Sequence, residues 1–176
     1  MPFFKRFFGG QKDAKVKLDL TVPGDVGIDD VTRTQMKRLY EARKGEPPTK
    51  VERDLIVDDN DINRDILMRY LGRIGVHCDI ARNGIDAIDL AMRYEYDIIW
   101  MDVKMPICNG FEATNFLREC GYKGNICGTT GFADEKSLNT AKECGMTWLI
   151  TKPFTLDSIG KLHAGGLAAP TGDRKA

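Results

Sequence analysis

The chain has 176 residues, with 26 Lys plus Arg set against 26 Asp plus Glu. At about one domain per 100–200 residues, that is one domain with an appendage, long enough to bury a core without staples. Zero net charge argues against a general nucleic-acid coat. The apolar runs fall far short of the ~20 residues of a bilayer span, and no apolar stretch with a small-residue cleavage site marks a secreted chain. The 5 cysteines, Cys78, Cys108, Cys120, Cys127 and Cys144, are odd in number and include no C-x-x-C pair. They are expected to be reduced thiols in a cytoplasmic protein rather than a disulfide or zinc scaffold.

The N-terminal stretch is set apart by charge. Residues 1–50 hold 11 basic and 7 acidic residues, so the remainder is net acidic. Phe3-Phe4-Lys5-Arg6-Phe7-Phe8 has the aromatic and cationic character of an interfacial membrane anchor. It is short, carries only two adjacent cations, and Met1-Pro2 excludes N-myristoylation, so a tail or docking peptide is favoured over membrane contact. Val16, Leu18, Leu20 and Val22 alternate as a strand that ends at Pro23. Val31 to Lys44 reads as a helix capped by Asp29 or Asp30 and stopped by Gly45. One strand and one helix cannot form a core alone, so this extension is expected to pack on the main domain, pair with a partner, or stay mobile. Gly45-Glu46-Pro47-Pro48-Thr49-Lys50 cannot continue a helix and reads as a linker, which divides the chain into residues 1–50, 51–164 and a disordered tail, 165–176.

From Leu55 onward, strand-like and helix-like segments alternate. Leu55-Ile56-Val57 is an apolar strand ending in Asp58-Asp59. Ile62, Ile66, Leu67, Tyr70, Leu71 and Ile74 then mark a helix that closes at Gly75. Val76, Cys78 and Ile80 form a second strand, and Asn83-Gly84 leads into a helix through Tyr94. Ile98-Ile99-Trp100-Met101 ends in Asp102, and a helix after Asn109-Gly110 stops at Gly121. Asn125 to Thr130 is a small-residue strand, followed by a helix from about Asp134 to Cys144. Trp148 to Thr151 is the fifth strand, ending at Lys152-Pro153, and a last helix follows the N-cap Thr155. Five β–α units with wholly apolar strands predict an α/β fold: a doubly wound five-stranded parallel sheet in the order 2-1-3-4-5.

Ligands of such sheets bind outside the carboxyl ends of the strands. There the chain delivers Asp58, Asp59, Asp102, Thr130 and Lys152. Converging carboxylates suit Mg²⁺, and a lysine with a hydroxyl suits phosphoryl oxygens. Together they describe phosphoryl transfer to an aspartate. His77 and His163, the only histidines, fall at no predicted carboxyl end.

Four stretches, Leu55-Ile56-Val57-Asp58-Asp59, Met101 to Gly110, Thr129-Thr130-Gly131 and Thr151-Lys152-Pro153-Phe154, resemble a response-regulator receiver domain over roughly residues 53–163. The resemblance implies that Asp102 accepts a phosphoryl group from a phosphohistidine. It implies Mg²⁺ held by Asp58, Asp59, Asp102 and the backbone carbonyl of Lys104. Lys152 pairs with the acids and then with the phosphoryl oxygens, while Thr130 moves to bond the phosphoryl group. Partners are then a histidine kinase or histidine-phosphotransfer protein and a downstream protein effector, with no direct nucleic-acid contact. The chain is a switch of a phosphorelay rather than a turnover enzyme. Two departures stand out. Many receivers carry an aromatic residue three positions before the lysine, where this chain has Leu149. Bulky Phe132, which with Lys104 flanks the water path the resemblance implies, is expected to slow phosphoryl loss. The alternatives are a phosphorylation-independent binding module of the same fold and an aspartyl phosphatase, for which a further acid–base residue and a cap domain are missing.

Overall fold

The computed structural model describes residues 28–165. The expected Phe3–Phe8 segment, the alternating Val16–Val22 strand and the tail after Gly165 lie outside the described residues. The elements run α1 Asp30–Arg43, β1 Thr49–Lys50, β2 Asp54–Val57, α2 Asp61–Arg73, β3 Cys78–Ala81, α3 Gly84–Arg93, β4 Tyr94–Glu95, β5 Ile98–Asp102, α4 Gly110–Glu119, β6 Asn125–Thr130, α5 Glu135–Cys144, β7 Trp148–Thr151 and α6 Leu156–His163.

The main sheet is parallel throughout, in the order β3-β2-β5-β6-β7, which is the expected 2-1-3-4-5. Alternation along each strand sends neighbours to opposite faces, so both faces are covered. Leu55, Val57, Ile99, Met101 and Ile126 pack with Ile88 of α3, Phe116 and Leu117 of α4, and Ala141 of α5. Ile56, Ile98, Trp100 and Cys127 pack with Leu67 and Leu71 of α2 and Ile159 and Leu162 of α6. This two-sided burial is why the central strands read as unbroken apolar runs.

Side-chain caps set the helix starts. Asn60 accepts from the N–H groups of Ile62 and Asn63, Asn109 forms a reciprocal box with Glu112, and Thr155 forms one with Ser158. These caps satisfy amides that have no partner within the helix. Gly145 ends α5 in the left-handed region, φ 87°, which costs a residue without Cβ little.

The N-terminal helix packs on the domain. Met36 of α1 is fully buried (0% exposed), Ile28 just ahead of it is buried, and Leu39 and Tyr40 lie against the same cluster. Asp29 is the N-cap, its carboxylate accepting from the Thr32 N–H at 2.8 Å. The stretch expected as a linker is also held. Thr49–Lys50 forms β1 and pairs in parallel with β4, and Lys50 Nζ lies 2.6 Å from Asp97 Oδ1. The two prolines favour an extended backbone just before β1, a conformation that suits strand pairing.

Candidate functional site

The register assembles the site. Val57 pairs with Met101, Asp102 with Thr129, and Thr130 with Thr151. Asp58, Asp102, Thr130 and Lys152 therefore stand side by side along the carboxyl edge of the sheet. Lys152 Nζ lies 2.5 Å from Asp58 Oδ2 and 2.6 Å from Asp102 Oδ1, bridging two strands that are distant in sequence. Both acids are buried and Asp59 is exposed. Carboxylate oxygens of Asp58, Asp59 and Asp102 all lie within 4.8 Å of one another.

Each buried carboxylate is oriented on both oxygens. Asp58 Oδ1 accepts from the Asn60 N–H at 2.9 Å and from the Asn63 amide at 3.1 Å, leaving Oδ2 to Lys152. Asp102 Oδ2 accepts from the Lys104 N–H at 3.2 Å, leaving Oδ1 to Lys152. Burial raises the Asp102 carboxyl above the usual range; the Lys152 contact opposes this, and neighbouring Asp58 and Asp59 add to it. Burial alone would lower the Lys152 ammonium, but its bonds to Asp102 and Asp58 outweigh that and raise it. The lysine therefore stays charged beside two acids.

Thr130 is buried, and its hydroxyl donates to its own loop, to the Phe132 carbonyl at 3.0 Å. Phe132 is 71% exposed. Leu149 is buried beneath β6, where a Cβ on Gly128 would lie 2.8 Å from Leu149 Cδ1. Two supporting residues escaped the sequence reading. Buried Arg64 donates from Nη1 to the Asp58 carbonyl at 2.6 Å and also contacts Asp61. Asn63 fixes the Asp58 carboxylate. Their signal was the cluster of polar residues Asn60, Asp61, Asn63 and Arg64 at the start of α2, broken only by the exposed Ile62, where a helix packed on a sheet would otherwise bury apolar groups.

The carboxyl edge of a parallel sheet thus brings acids, a threonine and a lysine together. The chain belongs to the response-regulator receiver family, whose domain model matches residues 55–163. It is 38% identical over 106 residues to two-component response regulator 24 of Arabidopsis thaliana, a match covering 60% of this chain and 76% of that protein. Against the sensor histidine kinase RcsC of Escherichia coli, 36% identical over 105 residues, it spans only 11% of the kinase. The receiver domain of sensor histidine kinase PA1611 of Pseudomonas aeruginosa, solved with a magnesium ion coordinated in its active-site cleft, superposes with a TM-score of 0.59 at 27% identity, covering 67% of this chain and 96% of that one. The Ssk1 receiver domain of Saccharomyces cerevisiae, in complex with the histidine phosphotransfer protein Ypd1, belongs to a structure matched with a TM-score of 0.57 at 25% identity, covering 67% of this chain and 88% of that one. Among the described residues no helix is long and apolar enough to cross a membrane.

Proposed function

We propose that residues 51–164 act as a phosphoacceptor unit of a two-component phosphorelay, with Asp102 as the acceptor. The observation that carries this reading is the Lys152 bridge, which holds a positive charge 2.6 Å from Asp102 Oδ1 and 2.5 Å from Asp58 Oδ2. A carboxylate oxygen of Asp102 attacks the phosphorus of a phosphohistidine; the P–N bond breaks as the acyl phosphate forms, and the imidazole departs. Lys152 is positioned to meet charge on the transferring oxygens, and the N–H of Lys104 keeps the Asp102 carboxylate aimed. The hydroxyl of Thr130 then exchanges its bond to the Phe132 carbonyl for one to the phosphoryl group.

The donor set fits Mg²⁺: three carboxylates of hard oxygen within reach of one another, facing one lysine. Asp58, Asp59 and Asp102, with the backbone carbonyl of Lys104, would hold it. When bound, Mg²⁺ would neutralise charge on the phosphoryl oxygens.

The docking rim is apolar. Ile62 and Ile66 on the exposed side of α2, Ile107 in the β5–α4 loop and Phe132 in the β6–α5 loop are exposed at 68%, 42%, 63% and 71%. Isolated exposed residues need no explanation, but four around one acidic mouth suit the helical surface of a histidine kinase or phosphotransfer protein. Output then passes to a downstream protein effector in the cytoplasm.

The test is an intact-mass spectrum after incubation with acetyl phosphate, with and without Mg²⁺, on wild type and Asp102→Asn. One added phosphoryl unit that requires both Mg²⁺ and Asp102 is expected. If neither acetyl phosphate nor a phosphorylated phosphotransfer protein gives an adduct, the phosphorylation-independent binding module replaces this reading.

A further inference from the structure

A polar cluster at the other end of the sheet takes no part in this chemistry. Asp54, the first residue of β2, is fully buried (0% exposed). Its Oδ1 accepts from the Ile98 N–H at 3.2 Å, and its Oδ2 accepts from the Trp100 indole N–H at 2.7 Å. The same Oδ2 lies 2.7 Å from Nε2 of His163, the last residue of α6, whose ring centroid is 6.1 Å from that of Trp100. Buried carboxylates are costly unless hydrogen-bonded and paired. This one is tied to the last residue of a helix, 109 positions further along the chain.

Strand β2 is thus fastened at both ends to the final β–α unit. Lys152, just after β7, bonds Asp58 at the carboxyl end, and His163 bonds Asp54 at the amino end. Asp54, Ile56 and Asp58 alternate onto one face, the face on which Ile159 and Leu162 of α6 pack. A cavity of about 600 Å³ lies beside the lower tie, lined by Lys50, Asp97, Lys123, Trp148, Leu162 and His163.

We infer that the Asp54–His163 contact is a pivot that keeps α6 seated when Lys152 is drawn from Asp58 toward a phosphoryl group. The inference rests on the phosphoacceptor reading above for its trigger. His163 touches no reacting atom; it is a positioning residue that acts through α6. With both ties made, α6 is held twice. With the upper tie weakened, the lower one and the apolar contacts of Ile159 and Leu162 hold it, so the unit swings without detaching.

The test is hydrogen exchange of the α6 amides in the full chain, for wild type, His163→Ala, Lys152→Ala and the double variant. A two-ended fastening predicts that the double variant exchanges at least about tenfold faster in α6 than the product of the single effects, because each tie masks the loss of the other. A purely multiplicative result, or faster exchange spread evenly over β2, β5 and β6, overturns the pivot. His163→Gln, which keeps a donor, restores at least half of the logarithmic loss; if His163→Ala fails to fold, Asp54→Asn takes its place in the comparison, with His163→Gln as the variant that keeps the tie. In a second arm, beryllofluoride with Mg²⁺ is added and its binding is followed by fluorine NMR. The α6 of His163→Ala then opens by about another tenfold while wild-type α6 stays protected. Beryllofluoride that binds without this difference overturns the pivot. Beryllofluoride that fails to bind tells against the phosphoacceptor reading alone, and the double-variant comparison still decides the pivot.

Discussion

Met36→Ala tests whether α1, which precedes the family-matched residues 55–163, is integral to the folded domain. Met36 is 0% exposed and sits in the same apolar cluster as Ile88, Phe116 and Leu117. Truncating a buried Met to Ala typically costs about 2–5 kcal/mol from lost transfer energy and the cavity left behind. Here the cost has a ceiling, because α1 lies on one face only. Once the loss exceeds the free energy of docking, the helix leaves and the rest of the domain is spared. Ile28 and Met36 are both buried, at about 1.5–3 kcal/mol each, and the ordering of α1 offsets part of that gain. The expected loss is therefore near the low end, about 2–3 kcal/mol. At roughly 2–4 °C per kcal/mol this lowers Tm by about 4–12 °C. Urea unfolding followed by far-ultraviolet circular dichroism measures it. An unchanged denaturant slope means that α1 stays docked around a cavity, and a smaller slope means that it has undocked. A loss below about 0.5 kcal/mol with the slope unchanged would refute the reasoning, since that is the range of a surface substitution.

Three further outcomes are expected. Phe132→Ala speeds loss of the phosphoryl group by about two- to tenfold, at most 1.4 kcal/mol of barrier, measured as the decay of the phosphorylated mass; equal decay would show that the ring does not hinder water. Gly110→Ala drives a Cβ into the Asp102 carbonyl and to 2.9 Å from Met101 Cγ. It should destabilise the domain by about 1–3 kcal/mol and slow phosphoryl uptake, and wild-type values for both would show that the β5–α4 turn can yield. Hydrogen bonds from the Thr32 backbone and side chain hold the Asp29 carboxyl below its usual range, and bonds from the Ser137 side chain and backbone do the same for Asp134. Their stabilisation of α1 and α5 is complete above the unfolded value of ~3.9 and is lost as pH falls through the lower folded values. Residue-resolved exchange in acid should therefore show Asp134→Asn removing this pH dependence from α5 while leaving that of α1 unchanged.

The sheet was legible because its strands are buried on both faces. Ile98 to Met101 and Leu55 to Val57 admit no polar residue, and each run stops at an acid where the backbone leaves the core. The limits Asn125–Thr130 and Trp148–Thr151 follow from Gly124 and Gly145 nearby and from Lys152-Pro153 after the last strand. The acid–lysine site was legible for the same reason: charged residues at strand ends have one place to go. What could not be read was pairing across the chain. The link between Asp54 and His163 spans 109 positions, and neither residue belongs to a local pattern. Asp54 reads as a polar flank of a strand until Trp100, on the neighbouring strand, is seen to donate to it. Arg64 looks like an exposed position of α2 until its guanidinium is found beneath Asp58. The two-residue strand β1 was hidden by its prolines, which signal a linker just as well as an extended segment waiting for a partner.

Leu149 narrows how a phosphoryl group would be felt. Its side chain fills the space that Gly128 leaves open, packed in the core, so no ring there is free to swing. On the proposed reading, Thr130 responds alongside Lys152. Its hydroxyl now donates to the neutral Phe132 carbonyl at 3.0 Å, and moving to a phosphoryl oxygen trades a bond worth about 0.5–1.5 kcal/mol for a charge-assisted one of about 1.5–3 kcal/mol. The difference, about 1–1.5 kcal/mol, shifts a two-state equilibrium by only about five- to thirteenfold. Turning a 1:99 population into 99:1 takes about 5.5 kcal/mol. On the proposed reading, the rest comes from Lys152 leaving Asp58 and from the effector that binds the shifted form. Phosphorylation would then tighten effector binding by a modest factor, and Thr130→Ala would abolish most of that factor while Thr130→Ser keeps it. Effector affinity measured for phosphorylated and unphosphorylated forms of each variant decides this. An undiminished factor in Thr130→Ala would mean that the signal leaves the site through Lys152 and α6 alone.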